Sequence, residues 1–174
     1  FKDRDVIVIS SENSYGIGIV MRIRNGHIMG REKFILKLHD AEAQRQNLAQ
    51  FFLQYYSSTI DLPEEVLIEC TFDEMIEYEN WLSTIRKKRV RILLPERGEK
   101  RKLVDVSKRN ADLLLGELRL QQAKRKELLI KPILQLQDDL GMEIPPRRIE
   151  AFDNSNIQGS NPVAGMGCFL DGKP

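Results

Sequence analysis

A run of β-branched residues, Val6-Ile7-Val8-Ile9, constrains the fold most, because only a strand covered on both faces hides such a run. Residues 5–10 read as that buried strand. Residues 15–24 alternate, with Ile17, Ile19, Met21 and Ile23 on one face, and Asn25-Gly26 then makes a tight hairpin turn. Residues 27–38 form a third strand, in which Gly30 permits a bulge or a close approach. Asp40 caps a helix running to about Tyr56, with Leu48, Phe51, Phe52 and Tyr55 along one stripe. After Pro63, residues 65–70 make a fourth strand, and Thr71 with Glu74 fits a capping box for a helix through about Lys87. Residues 90–94 are a fifth strand, ended by Pro95. A long helix starts between Lys100 and Ser107 and runs to about Leu129; Pro132 breaks or kinks it. Residues 134–140 form one more short helix, stopped by Gly141. Pro145-Pro146 is a linker, and a new strand begins at Arg147.

That last strand carries the candidate chemistry. Arg148-Ile149-Glu150-Ala151-Phe152-Asp153-Asn154-Ser155-Asn156 puts one carboxylate, Asp153, at the end of a short apolar strand, just before a polar turn. A second apolar run, residues 163–170, closes on Asp171-Gly172, another tight-turn signal. A carboxylate at a strand end is held by the sheet and open to solvent, which suits Mg²⁺ or Mn²⁺, cations that take hard oxygen ligands. On spacing alone, an Asp before Asn-Ser is better read as shaping a turn. Glu150 falls on the opposite strand face by alternation and is set aside as a ligand.

The words of this stretch decide more than its layout. Residues 149–159, then Asn161-Pro162-Val163 and Asp171-Gly172-Lys173-Pro174, closely resemble the start of the endonuclease domain of the UvrC family, the incising subunits of bacterial excision repair. The resemblance reaches back through Leu94-Pro95-Glu96-Arg97-Gly98-Glu99-Lys100-Arg101-Lys102-Leu103, Asn110-Ala111, Gly30-Arg31-Glu32 and the opening Phe1-Lys2-Asp3-Arg4-Asp5-Val6-Ile7. It implies an α/β fold: a ribonuclease-H-like mixed sheet with flanking helices over residues 1–145, then the first hairpin of a second such domain over residues 146–174. The order of the elements, three antiparallel strands, helix, strand, helix, strand, helix, fits that fold and suggests an internal duplication. In the first copy the position matching Asp153 falls at Ser10 or Ser11, and neither holds a divalent cation as a carboxylate does. Glu12 serves only if the alignment slips, so the first copy is expected to be catalytically dead.

The resemblance further implies that Asp153 is catalytic and a metal ligand, with Mg²⁺ or Mn²⁺ in the intact protein. It implies metal-assisted incision of damaged double-stranded DNA next to a lesion, UvrB and UvrA as partner proteins, and a cytoplasmic location. One carboxylate makes no complete site, so the fragment alone is expected to be inactive with no metal bound. Phe1 is not an initiator Met, so the chain reads as part of a longer protein.

Composition neither adds to nor opposes this. Lys+Arg 27 against Asp+Glu 26 leave a net charge of +1, so any basic surface must be local. Arg97, Lys100, Arg101 and Lys102 follow a strand and open a helix, where backbone amides and cations can meet phosphate. An ordinary solvated charged surface is an equal reading. Cys70 and Cys168 lack metal-site spacing, and no apolar run spans a bilayer. His27 and His39 read as surface or turn residues, Trp81 as core. Leu113, Leu114, Leu115, Leu118 and Leu120 exceed one helical stripe, which suits packing between domains more than a partner groove. The alternative function is a non-catalytic DNA- or protein-binding scaffold of the same fold.

Overall fold

Three strands, β1 (Arg4–Glu12), β2 (Tyr15–Arg24) and β3 (His27–Lys37), pair as an antiparallel meander. The turn between β2 and β3 is the expected one, with Asn25 at φ 50° and Gly26 at φ 80°. The computed structural model describes residues 2–157 and 160–174, with side-chain detail for all of these except 126, 128, 129 and 154–164. Helix α1 (Gln44–Ser58) crosses to β4 (Glu65–Ile68), which pairs parallel with β1. Helix α2 (Met75–Arg86) then leads to β5 (Arg91–Leu93), parallel to β4. The sheet order is β3-β2-β1-β4-β5, the mixed sheet of a ribonuclease-H-like fold. Parallel pairing of Ile7 with Ile68 brings the carboxyl ends of β1 and β4 to the same sheet edge.

Both faces of this sheet are buried, as the unbroken apolar runs require. On one side Ile7, Ile9, Val20, Val66, Ile68 and Ile92 meet Leu48, Phe51, Phe52, Tyr55 and Tyr56 of α1 and Leu82 of α2. Phe52 stacks on Tyr78 with ring centroids 5.6 Å apart. Gly18 lets α1 settle on β2: a Cβ there would stand 2.6 Å from the Phe51 ring. Trp81 packs on this core, whereas His27 and His39 are exposed. On the other side Val6, Val8, Ile19, Met21 and Leu67 are equally hidden. Helix α3 (Gly98–Leu140) supplies Val104, Ser107, Ala111 and Leu115, a buried stripe at helical spacing. Leu113 and Leu120, by contrast, are exposed.

The chain forms two compact units, Phe1–Glu117 and Leu118–Pro174, and α3 contributes to both. In the second unit β6 (Arg148–Ile157) and β7 (Ser160–Leu170) make a two-stranded antiparallel sheet. It ends on Asp171 at φ 50° and Gly172 at φ 78°, nearly the geometry that ends the β1–β2 hairpin. Among the described residues no helix is long and apolar enough to cross a membrane.

Four local expectations are corrected. Helix α3 does not break at Pro132 and continues to Leu140, so no separate short helix forms. The proline costs one backbone hydrogen bond, and strong helix formers on both sides (Leu, Gln, Lys, Glu) offset it. Gly141 at φ 61° does stop the helix, with the Met142 amide donating to Gln137 O at 3.0 Å. Asp40 does not cap α1; its carboxylate accepts the Glu42 amide at 2.9 Å, a local turn that delays the helix to Gln44. No capping box forms at Thr71, because Glu74 itself occupies the N-cap of α2. Finally, β6 does not stop at Asp153: Asn154 and Ser155 stay in the ladder, opposite Ala164 and Val163.

Candidate functional site

Asp153 lies in mid-strand on β6, opposite Gly165 of β7, with its side chain exposed. Its backbone is fixed by the ladder, and no side chain stands on the residue across from it. Glu150 pairs instead with Arg148. The base of the hairpin is closed by Arg147, whose guanidinium donates to both Asp171 oxygens, at 2.9 and 3.1 Å. That hydrogen-bonded pair pulls the Asp171 carboxyl below its ordinary value. Asp153 offers the hard oxygen that Mg²⁺ or Mn²⁺ takes. Among the described residues, no group of three His, Cys, Asp or Glu is placed to hold a metal ion.

Counted from the matching turns Asn25-Gly26 and Asp171-Gly172, the first-sheet residue at the Asp153 position is the buried Val8, opposite Ile19, and not Ser10 or Ser11 as expected. Ser10, buried near the end of β1, donates its hydroxyl to Asp112 Oδ1 at 2.6 Å. The Ile9 amide donates to Glu69 Oε1 at 2.7 Å. Lys108 of α3 donates its ammonium to the Ile9 carbonyl and lies 3.2 Å from Glu69 Oε2. Sequence reasoning singled out Ser10 but missed Glu69 and Asp112. One signal was available: Glu69 directly follows the apolar run of β4, as Asp153 follows Phe152.

The four basic candidates divide into two kinds. Lys100 is half-buried and gives its ammonium to Glu65 Oε2 at 2.7 Å. Arg101 pairs with Asp105 one turn on, at 2.8 Å. Arg97 and Lys102 are exposed and make no ion pair among the described residues. Gly98 at φ 78° starts α3 between them, where unpaired helix amides face solvent.

Glu65 also receives Lys2 at 3.0 Å and Arg4 at 3.0 Å, and its side chain is only 4% exposed. Burial alone would raise its pKa; hydrogen bonds from Lys100, Lys2 and Arg4 overcome that and hold it at about 2, below the ordinary 4.5. A depressed carboxyl stabilises the fold above its unfolded pKa and loses that contribution as pH falls toward the folded one. Denaturant titrations should therefore show on the order of 3 kcal/mol lost between about pH 5 and pH 2. Glu65→Gln should flatten that part of the profile; an unchanged acid limb would show that the cluster contributes nothing.

Two family models match the chain. One, described as the UvrC ribonuclease-H-like domain, covers residues 3–118; the other, the UvrC RNase H endonuclease domain, covers residues 137–174. This chain belongs to the UvrC family. Among curated relatives, the UvrABC system protein C of Moorella thermoacetica is 34% identical over 173 residues, 99% of this chain and 28% of that protein. That of Chlorobium luteolum is 37% identical over 183 residues, again 99% of this chain and 29% of the relative. The Clostridium acetobutylicum protein is 32% identical across 100% of the chain and 28% of its own length. The chain thus spans under a third of these UvrC proteins. The endonuclease-domain match contains Asp153, and the ribonuclease-H-like match contains Ser10, Glu69, Lys108 and Asp112.

Proposed function

We propose that the full-length protein is the incising subunit of a nucleotide excision repair system, cutting damaged double-stranded DNA next to the lesion in company with UvrB and UvrA. Asp153 carries the reading. It is an exposed carboxylate on a ladder-fixed strand, inside the segment matched by the endonuclease-domain model. Bound there with ligands from elsewhere in the intact protein, Mg²⁺ or Mn²⁺ would supply a Lewis acid for phosphodiester hydrolysis. This chain's part is to hold one anionic oxygen at a fixed strand position. By itself it lacks the remaining ligands and is inactive.

Residues 3–118 serve as a non-catalytic module that meets DNA through its exposed cations. The buried Ser10 hydroxyl, already bonded to Asp112, favours this role over catalysis. Of the four basic candidates, only Arg97 and Lys102 keep their charge available for phosphate. Affinity of the full-length protein for lesion duplex, measured against salt, tests this. The double change Arg97→Ala/Lys102→Ala should lower the log–log salt slope by about 2, close to 0.9 per lost phosphate contact. Arg101→Ala should leave it nearly unchanged. An unchanged slope in the double variant would return this surface to ordinary solvation.

A further inference from the structure

The turn between α2 and β5 gathers positive charge that nothing nearby neutralises. Lys87, Lys88 and Arg89 lie in the turn and Arg91 opens β5; all four are exposed, and none makes an ion pair among the described residues. Parallel register sets Arg91 in one row with Glu65 of β4 and Arg4 of β1, at the amino ends of the three strands. Glu65 already holds Lys2, Arg4 and Lys100, three cations on one carboxylate, so it leaves no negative charge for the turn. Glu64 is taken by Arg86 at 3.5 Å. Glu69 and Asp112 are engaged at the other sheet end, past the carboxyl ends of β1 and β4. A net charge of +1 conceals this separation. We infer that the α2–β5 turn is a sequence-independent contact for the DNA backbone, in which Lys87, Lys88, Arg89 and Arg91 meet phosphates of the duplex.

The backbone of this turn is fixed from several sides. Arg86 braces it by donating to the Leu62 carbonyl at 3.1 Å and to the Arg89 carbonyl at 3.4 Å. The Val90 amide donates to Ser83 Oγ at 2.9 Å, and Val90 itself is fully buried. The exposed cations are thus displayed on a rigid frame, which reduces the entropy lost on binding. Lys87 stands at φ 58°, where a helix end normally carries glycine or asparagine; here the position carries a charge instead. The helix dipole accounts for Arg86 in the last turn of α2, but its effect falls off within that turn and does not reach to Arg91. Side-chain chemistry sets the ligand class. The turn has no amide or aromatic group to read or stack on a base, so its contact is with phosphate and not with sequence. It has no exposed apolar side chain to anchor a membrane or a protein groove. This rests on the reading of residues 3–118 as a module that meets DNA, and it gives that module a contact in addition to Arg97 and Lys102.

Affinity of the full-length protein for an undamaged duplex, followed by fluorescence anisotropy from about 50 to about 200 mM salt, tests it. Lys87→Gly/Lys88→Gln/Arg89→Gln should lower the log–log salt slope by about 2 to 3, at about 0.9 per lost phosphate contact, and equally on two duplexes of unrelated sequence. Its melting temperature should not fall, because glycine accepts the positive φ at Lys87 without strain. Should it melt early, Lys88→Gln/Arg89→Gln keeps Lys87 and should still lower the slope by about 2. Arg31→Gln/Lys33→Gln/Lys37→Gln removes the same charge from exposed residues of β3, at the opposite edge of the sheet, and should leave the slope nearly unchanged. Cations there guard an open strand edge. The duplex carries no lesion and nothing is cut, so the incision reading does not enter. If Arg97→Ala/Lys102→Ala keeps the wild-type slope while the turn variant lowers it, the α3 contact fails and the α2–β5 contact stands. The inference is overturned if the turn variant keeps the wild-type slope, if the β3 variant lowers it as much, or if the turn variant loses affinity for polyglutamate but not for the duplex.

Discussion

Full-length protein carrying Asp153→Ala should lose one of its incisions by about a thousandfold or more while keeping its affinity for lesion DNA. A metal ligand acts on the chemical step: the ion contributes several kcal/mol of transition-state stabilisation, and each ~1.4 kcal/mol is tenfold in rate. Affinity comes instead from phosphate contacts spread over many residues. The substitution should not disturb the fold, because the side chain is exposed and the strand pairs through its backbone with Gly165. Gel analysis of both cuts, with binding measured in the same preparation, separates the two effects. Near-normal cutting on both sides of the lesion would refute the assignment.

The second large effect is on stability. Asp5 is fully buried, and its carboxylate accepts Arg24 Nη1 at 2.7 Å and the Tyr56 hydroxyl at 2.9 Å. Arg24 also donates to the Arg4 carbonyl at 3.1 Å and to Asp61 at 3.0 Å, tying β2 to the start of β1 and to the loop before β4. Arg24→Met should cost about 3–5 kcal/mol, because it leaves a buried carboxylate without its cation. That is a large share of the 5–15 kcal/mol typical of a domain. Asp5→Asn in the same molecule should recover part of the loss, since the two residues share one network. The pH sense follows from the carboxyl. Burial raises the Asp5 pKa, against the pull of Arg24 and Tyr56, and losing Arg24 raises it further. A carboxyl raised above its unfolded value loses stability as pH rises. The deficit of Arg24→Met should therefore be greatest at neutral pH and shrink in mild acid. Urea unfolding at several pH values measures it; a loss below about 1 kcal/mol would show that the pair is not the linchpin its burial suggests.

Much of the fold was legible in the sequence because its signals are local. Alternation in residues 15–24 and the Asn25-Gly26 turn fix a hairpin without reference to anything distant. What stayed hidden depends on distant partners. Glu69 and Asp112 meet the end of β1 across 60 and 102 residues, and no periodicity announces such a meeting. Lys100 and Lys102 look alike in sequence, yet Glu65, fixed in place by β4, claims only Lys100. Pro132 misled because one lost hydrogen bond is small against a helix of 43 residues. Asp40 misled because an Asp can close its own turn as readily as cap a helix, and only the Glu42 amide shows which it does.

The central claim is that the divalent cation belongs to the second sheet and not the first. Mn²⁺ titration of the full-length protein, read by electron paramagnetic resonance, tests it most directly in three forms: unaltered, Asp153→Ala and Asp112→Asn. The account predicts a bound-ion signal that disappears with Asp153→Ala and persists with Asp112→Asn. A signal that survives Asp153→Ala and vanishes with Asp112→Asn would contradict it.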